Sequence, residues 1–303
     1  MSTVSAPTRI ALHNIIFATD FLPCADTALP YALGLARRYG STLHLVTVLP
    51  HQPFVEATTP DPVKIRANAQ FKMNELVKSE VFKGITHKER VEAGEVPEVL
   101  NDLVRHERGD LIVLGTCGRK GGARLLLGSV AEKVFRTADC PVLTVGPHAR
   151  RLGTELHHVV FATDFGAESV HALPWALSLA EEHNARLTLL HVARESVVLP
   201  EPEPGTLPVE PPAKVVETTT RRLRDLLPAS TQLKQPPEYL VKFGTPAETI
   251  LKAAAEHDVD VLVLGVKRPA SVSAAAHLGM HIAYKVACEA PCPVLTVSAF
   301  FHA

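Results

Sequence analysis

Short runs of continuous apolar residues alternate along this chain with longer stretches whose apolar positions recur at helical spacing. "NIIFAT" (14–19), "TLHLVTV" (42–48), "LIVLG" (111–115) and "PVLTV" (141–145) are nearly unbroken apolar runs. Such runs suit parallel strands covered by helices on both faces. "THKERVEAG" (86–94) instead alternates and is polar, which places it at a sheet edge. Between the strands, "ADTALPYALGLARRYG" (25–40) carries an apolar stripe and ends on Gly40, a helix C-cap. Pro30 is expected early in that helix or at a kink. A second helix covers about 62–80, a third is "VPEVLNDLVRHER" (96–108) with Pro97 in its first turn, and a fourth is "SVAEKVFRTAD" (129–139). Strand and helix in strict alternation specify a doubly wound, mostly parallel sheet.

The whole pattern occurs twice. "HNIIFATDF" (13–21) returns as "HHVVFATDF" (157–165), and "ALPYALGLARRYGSTLHLVTV" (28–48) as "ALPWALSLAEEHNARLTLLHV" (172–192). "GDLIVLG" (109–115) returns as "VDVLVLG" (259–265), and "CPVLTV" (140–145) is repeated at 292–297. A period of about 150 residues is too long for a solenoid unit, so it marks two homologous domains. The seam falls at "GPHARRLGTEL" (146–156), giving domains at 1–148 and 153–303. The proline-rich segment 196–214 reads as an extended surface loop.

Composition adds limits. The chain has 303 residues and a formal net charge of −1, so no global field draws it to nucleic acid or an acidic membrane. Neither a signal peptide nor an apolar run of membrane-spanning length is evident. The five cysteines, Cys24, Cys117, Cys140, Cys288 and Cys292, form no CxxC and are expected as reduced thiols in a cytoplasmic protein. Cys140 and Cys292 are expected to be equivalent buried thiols. His277 and His281 have helical metal-ligand spacing, but Gly279 between them and the lack of a third ligand argue against a metal site.

Candidate chemistry lies after the fourth strand. In an open α/β sheet of order 3-2-1-4-5, ligands bind where strand order reverses, beyond the ends of strands 1 and 4. Strand 1 ends in "ATD" (18–20), and strand 4 opens into "GTCGRKGGARLLLGS" (115–129). Glycines let backbone N–H groups approach a phosphate, and a helix beginning at Ser129 points its free N–H groups at the same anion. Arg119, Lys120 and Arg124 can neutralise further charge. Asp20, acceptor-only when ionised, suits ribose hydroxyls or an adenine amino group. A cation such as Mg2+ between Asp20 and phosphates is the alternative use of that carboxylate. The stretch is not a Walker A loop, and neither a G-x-S-x-G elbow nor an H-E-x-x-H motif occurs.

Gly115-x2-Gly118-x9-Gly128-Ser129 resembles the G-x2-G-x9-G-[S/T] nucleotide motif of the universal stress protein family. "FATD" and "LLLGSVAEKVFRTADCPVLTV" are similar to that family's first strand and ending. The resemblance covers both repeats. It implies two tandem, Rossmann-like domains of the adenine nucleotide alpha hydrolase type, each with a five-stranded sheet, and ATP in the first. Ala18, Thr19 and Asp20 would then line the adenosine end, and Val48 would meet adenine through its backbone. Gly115, Gly118, Gly128, Ser129 and Val130 would hold ribose and phosphates, with Arg119 beside them. Cys117 departs from the histidine often found at its position. In the second half Gly265 persists, but Arg268 replaces the second glycine and Met280-His281 the Gly-Ser pair. No ATP site of the family type is expected there, although Lys267 and Arg268 can attract some anion. Asp164 persists without the motif, a sign that this aspartate also serves a turn.

The resulting expectation is a nucleotide-dependent regulatory protein with an unidentified protein partner. The two "PVLTV" strands are expected to pair and form an intramolecular pseudo-dimer, with further homo-oligomerisation open. A slow ATPase or self-phosphorylating protein, and a nucleotide-independent interaction protein, are the alternatives.

Overall fold

The computed structural model describes residues 10–49, 61–116, 129–149, 155–193, 213–267 and 277–298, apart from the side chains of Ser129 and of 277–281. Two compact units make up the chain, one mainly Ala11–Glu155 and the other mainly Leu156–Ala299. Each is a mostly parallel α/β unit of the expected class.

The first unit runs β1 (Asn14–Ala18), α1 (Pro23–Tyr39), β2 (Thr42–Leu49), α2 (Pro62–Val77), β3 (His87–Ala93), α3 (Val96–Glu107), β4 (Leu111–Gly115), α4 (Ser129–Thr137) and β5 (Val142–Val145). Its strands lie in the order β3-β2-β1-β4-β5, and each adjacent pair is parallel. The second unit repeats this with β6 (His158–Ala162), α5 (Ala167–His183), β7 (Arg186–Ala193), α6 (Ala213–Asp225), β8 (Glu238–Phe243), α7 (Pro246–Glu256), β9 (Val261–Val266), α8 (His277–Glu289) and β10 (Val294–Ser298). Its order is β8-β7-β6-β9-β10, again parallel throughout.

Sequence explains the elements. The central strands β1, β4, β6 and β9 are buried almost end to end, with Phe17, Ile15, Ile16, Ile112 and Phe161 fully enclosed. β3 buries only Val91 and ends one side of its unit's sheet. Gly40 takes the left-handed conformation at φ 66° and caps α1 by donating to the Ala36 carbonyl. Asn184 does the same for α5 at φ 52°. Pro30 and Pro174 stand inside α1 and α5 rather than in their first turns. The second helix is shorter than its pattern suggests: it stops at Val77, and a short 3-10 turn follows at Glu80–Phe82.

Two histidines, His44 and His158, are buried near the amino ends of β2 and β6. His44 Nε2–H donates to Asn14 Oδ1 at 3.0 Å, while Nδ1 lies 3.9 Å from Glu107. His158, at the entrance of β6, has its ring nitrogens 2.9 Å from the His257 carbonyl and 2.8 Å from Thr188 Oγ1. Burial pushes both below the ordinary value of 6.5, against the pull of Glu107 on His44 and of the His257 carbonyl on His158. A lowered folded-state pKa means that the unfolded chain binds the proton more readily. Stability is therefore full above about pH 6.5 and falls as pH drops toward the folded pKa values. The melting temperature is expected to be lower at pH 5.5 than at pH 7.5, with a smaller difference in His44→Gln. Equal acid sensitivity of that variant and wild type would show that His44 does not contribute.

Candidate functional site

Strand register brings Ala18, Thr19, Asp20, Val48 and Gly115 close to one level. Ala18 pairs with Val46 on one side and Leu114 on the other. Thr19–Asp20, Thr47–Val48 and Gly115–Thr116 therefore emerge together at the carboxyl ends of β1, β2 and β4. Thr19 N–H donates to the Val46 carbonyl at 2.9 Å, and Thr116 N–H to the Val145 carbonyl at 3.0 Å, so both exits are pinned. Thr19 Oγ1 accepts from Phe21 N–H at 3.0 Å, and Asp20 Oδ1 from Leu22 N–H at 3.1 Å. Asp20 itself is exposed, and among the described residues that is its hydrogen bond. Ser129 begins α4, and Val130 beside it is 45% exposed. Gly118, Arg119 and Gly128 lie outside the described residues.

Gly115 has a packing role that sequence reasoning missed. A Cβ at this position would lie 2.4 Å from the Cys24 carbonyl oxygen and 3.0 Å from Ala25 N. The backbone at the start of α1 thus rests directly on the end of β4. Gly265 is under the same constraint: its Cβ would lie 2.2 Å from the Glu168 carbonyl oxygen. The retention of Gly265 where the other motif glycines are replaced follows from this helix–strand contact and needs no ligand.

The two aspartates differ where their sequences look alike. Asp164 Oδ1 accepts from Ser169 Oγ–H at 2.7 Å and from Gly166 N–H at 2.8 Å. Ser169 Oγ in turn accepts from Thr163 Oγ1–H at 3.0 Å. Partial burial raises the Asp164 pKa, but these hydrogen bonds outweigh it and hold the carboxyl below its ordinary value of 3.8. The first half has Ala25 where the second has Ser169, so this anchor is missing at Asp20. Removing it from the second half, in Ser169→Ala, is expected to raise the Asp164 pKa, read by NMR titration, and to cost about 1 kcal/mol of stability. An unchanged titration would show that Ser169 does not hold the carboxylate.

Phe21 and Phe165 follow these aspartates with φ of 58° and 63°, a conformation rare for bulky residues. Each carries a cation from the helix after its second strand. Arg222 stands 3.9 Å over Phe165, and Lys72 Nζ 5.8 Å from the centre of Phe21. Phe165 also meets His191 at 4.7 Å between ring centroids, and His191 Nδ1–H donates to the Thr163 carbonyl at 2.7 Å. The repeated "ATDF" signals the turn, but nothing in it announces positive φ or the distant cation.

Cysteine chemistry departs from the expected five thiols. Cys24 is disulfide-bonded, and Cys140, Cys288 and Cys292 are buried. Among the described residues no group of His, Cys, Asp and Glu forms a metal site. Among the described helices none is long and apolar enough to cross a membrane.

This double α/β arrangement can be compared with known proteins. The universal stress protein family matches residues 11–146 and again 155–298. The chain belongs to the universal stress protein family. A universal stress protein of Methanocaldococcus jannaschii is 29% identical over 138 residues, covering 44% of this chain and 81% of that one. A solved universal stress protein from Archaeoglobus fulgidus superposes with a TM-score of 0.70 at 19% identity, covering 95% of this chain and 98% of that one. That likeness establishes a shared tandem fold. A universal stress protein solved in complex with cAMP covers 47% of this chain and 97% of its own, with a TM-score of 0.35 and 21% identity.

Proposed function

We propose that this tandem universal stress protein holds ATP in its first domain (1–148) and uses occupancy there as a regulatory signal in the cytoplasm. The second domain (153–303) has no equivalent site. One observation carries this reading. At the same place in the two sheets, Asp164 is engaged by Ser169 and Gly166, while Asp20 is exposed and lacks the serine anchor. An acceptor left open beside the ends of β2 and β4 suits the hydroxyls or amino group of an adenosine. The intact Gly118 and Gly128-Ser129 positions follow in the chain segment leading to α4. There, backbone N–H groups and the helix N-terminus supply an anion-binding wall. Ala18, Thr19 and Val48 complete the adenosine side, and Arg119 and Val130 the phosphate side.

Purified protein is denatured and the released nucleotide identified and counted by chromatography. The expected result is about one ATP per chain, in line with one open site. No released nucleotide, together with no binding up to millimolar ATP, overturns the proposal. Release of ADP with turnover of added ATP would shift the reading to slow hydrolysis in the same pocket.

A further inference from the structure

We propose that the outward face of α2 is a self-association surface, on which a second copy of this chain docks its own α2, antiparallel and crossing at Ala67.

α2 is held to its unit by one side only. Ala69 and Met73 are buried, whereas Val63, Ala67 and Phe71, spaced four apart, stand on the far side of the helix and are exposed. Val63 at 75% and Phe71 at 64% are the two most exposed large apolar side chains among the described residues. A single exposed apolar residue needs no account, but three in register along one helix face form a stripe.

The second half supplies the comparison. α6 is the matching helix: it buries Thr219 and Leu223 where α2 buries Ala69 and Met73, and Arg222 stands over Phe165 as Lys72 stands over Phe21. That offset of 150 residues puts Glu217 at the position of Ala67 and Arg221 at that of Phe71. Glu217 and Arg221 form an exposed ion pair at 3.1 Å. One copy of the helix thus turns an ion pair to solvent, and the other turns alanine and phenylalanine. The fold does not require apolar residues there, so their presence points to an occupant.

The rim says which occupant. Gln70 and Asn74 border the stripe and are hydrogen-bonded to each other at 2.9 Å. Of the four cations within 61–78, Lys72 stands over Phe21 and Lys78 pairs with Glu75 at 2.7 Å. A rim lined by neutral amides offers little to an acidic protein or an anionic membrane, which are drawn by unengaged cations. It suits a copy of itself. Two α2 helices crossing antiparallel at Ala67 bring Val63 of each onto Phe71 of the other, with the smallest side chain of the stripe at the point of closest approach. Lys64 then faces Gln70 and Arg66 faces Asn68, so no like charges oppose, and the contact is isologous and closes as a dimer. One helix stripe covers less than the roughly 800 Å2 per partner of a standard interface, so the dimer is weak, with a dissociation constant of about 100 μM.

Sedimentation equilibrium of the full chain, from about 10 μM to about 1 mM, is expected to show a reversible passage from one chain to two. Ala67→Glu combined with Phe71→Arg, which copies the ion pair of α6, is expected to weaken association at least tenfold without lowering the melting temperature. Phe71→Ser, a smaller change, is expected to act in the same direction and decides the matter if the double variant melts lower. A wild type that stays monomeric throughout, or folded variants that associate as wild type does, overturns the proposal. The antiparallel crossing is tested separately: mild oxidation of Ala67→Cys is expected to give a covalent dimer whose peptide map joins position 67 to position 67, while Lys83→Cys, exposed but off this face, gives none. Equal cross-linking of the two contradicts the crossing. Cosedimentation of monomeric wild type with phosphatidylglycerol vesicles, abolished in Phe71→Ser, would make the occupant a membrane and also overturn the proposal.

Discussion

Gly265→Ala is expected to destabilise the second domain by about 3 kcal/mol, lowering its melting temperature by roughly 10 °C. The added Cβ would sit 2.2 Å from the Glu168 carbonyl oxygen and 2.4 Å from Ser169 Cα. Those are backbone atoms in the first turn of α5, so no side chain can swing aside. Relief requires α5 to shift off β9, against which it packs, and that shift would open apolar contacts around Leu173 and Leu177. Gly115→Ala meets the same obstacle from the Cys24 carbonyl and should cost a similar amount. Gly84→Ala is the control. Its Cβ would meet nothing within 4 Å, and its φ of 76° leaves only a conformational penalty of about 1 kcal/mol. Thermal melts of the three variants should therefore separate the first two from the third. If Gly265→Ala melts with Gly84→Ala, the close helix–strand contact is wrong.

That contact also bears on what the sequence could reveal. Most strands were legible because they are short and apolar on both faces, and the repeat doubled the evidence for their number; their order in the sheet was assumed from the fold class, and the register bears it out. Gly115 is legible in the sequence as a needed glycine, but the motif around it suggests a phosphate as the reason. The atoms that demand it belong to Cys24, far away in sequence, and only the second copy gives the hint: Gly265 survives where the remaining motif does not. Asp20 and Asp164 were indistinguishable by position, since both sit in "ATDF". What separates them is the residue five further on, Ala25 or Ser169, whose importance appears only when the helix returns its first turn to the aspartate. Lys72 and Arg222 were invisible as neighbours of the two phenylalanines because nothing in the sequence says which face of the helix after the second strand meets that turn. The disulfide was hidden by a sound general expectation, that cytoplasmic thiols stay reduced.

Gly128→Val should weaken ATP binding by at least a hundredfold while leaving the melting temperature of the ligand-free protein within a few degrees of wild type. Micromolar affinity corresponds to about 8 kcal/mol. Two charge-assisted hydrogen bonds from backbone N–H groups to phosphate are worth about 1.5–3 kcal/mol each, so losing both accounts for a hundredfold or more. On the proposed reading valine would act in two ways at once: its branched Cβ would take space needed by a phosphate oxygen, and it would resist the backbone conformations that glycine allows. The second half has already made a comparable change, with Met280 and His281 where the first has Gly128 and Ser129. The variant therefore asks whether the first site can be converted to the state of the second without disturbing the fold. Isothermal titration of ATP into both proteins, with melts of each, gives the answer. Loss of binding together with loss of fold would be uninformative for valine alone, so Gly118→Ala, a smaller change in the same wall, is titrated beside it and should also lose affinity. Wild-type affinity in both variants would mean that the glycines of this stretch do not hold the nucleotide, and the proposed phosphate wall would have to be abandoned.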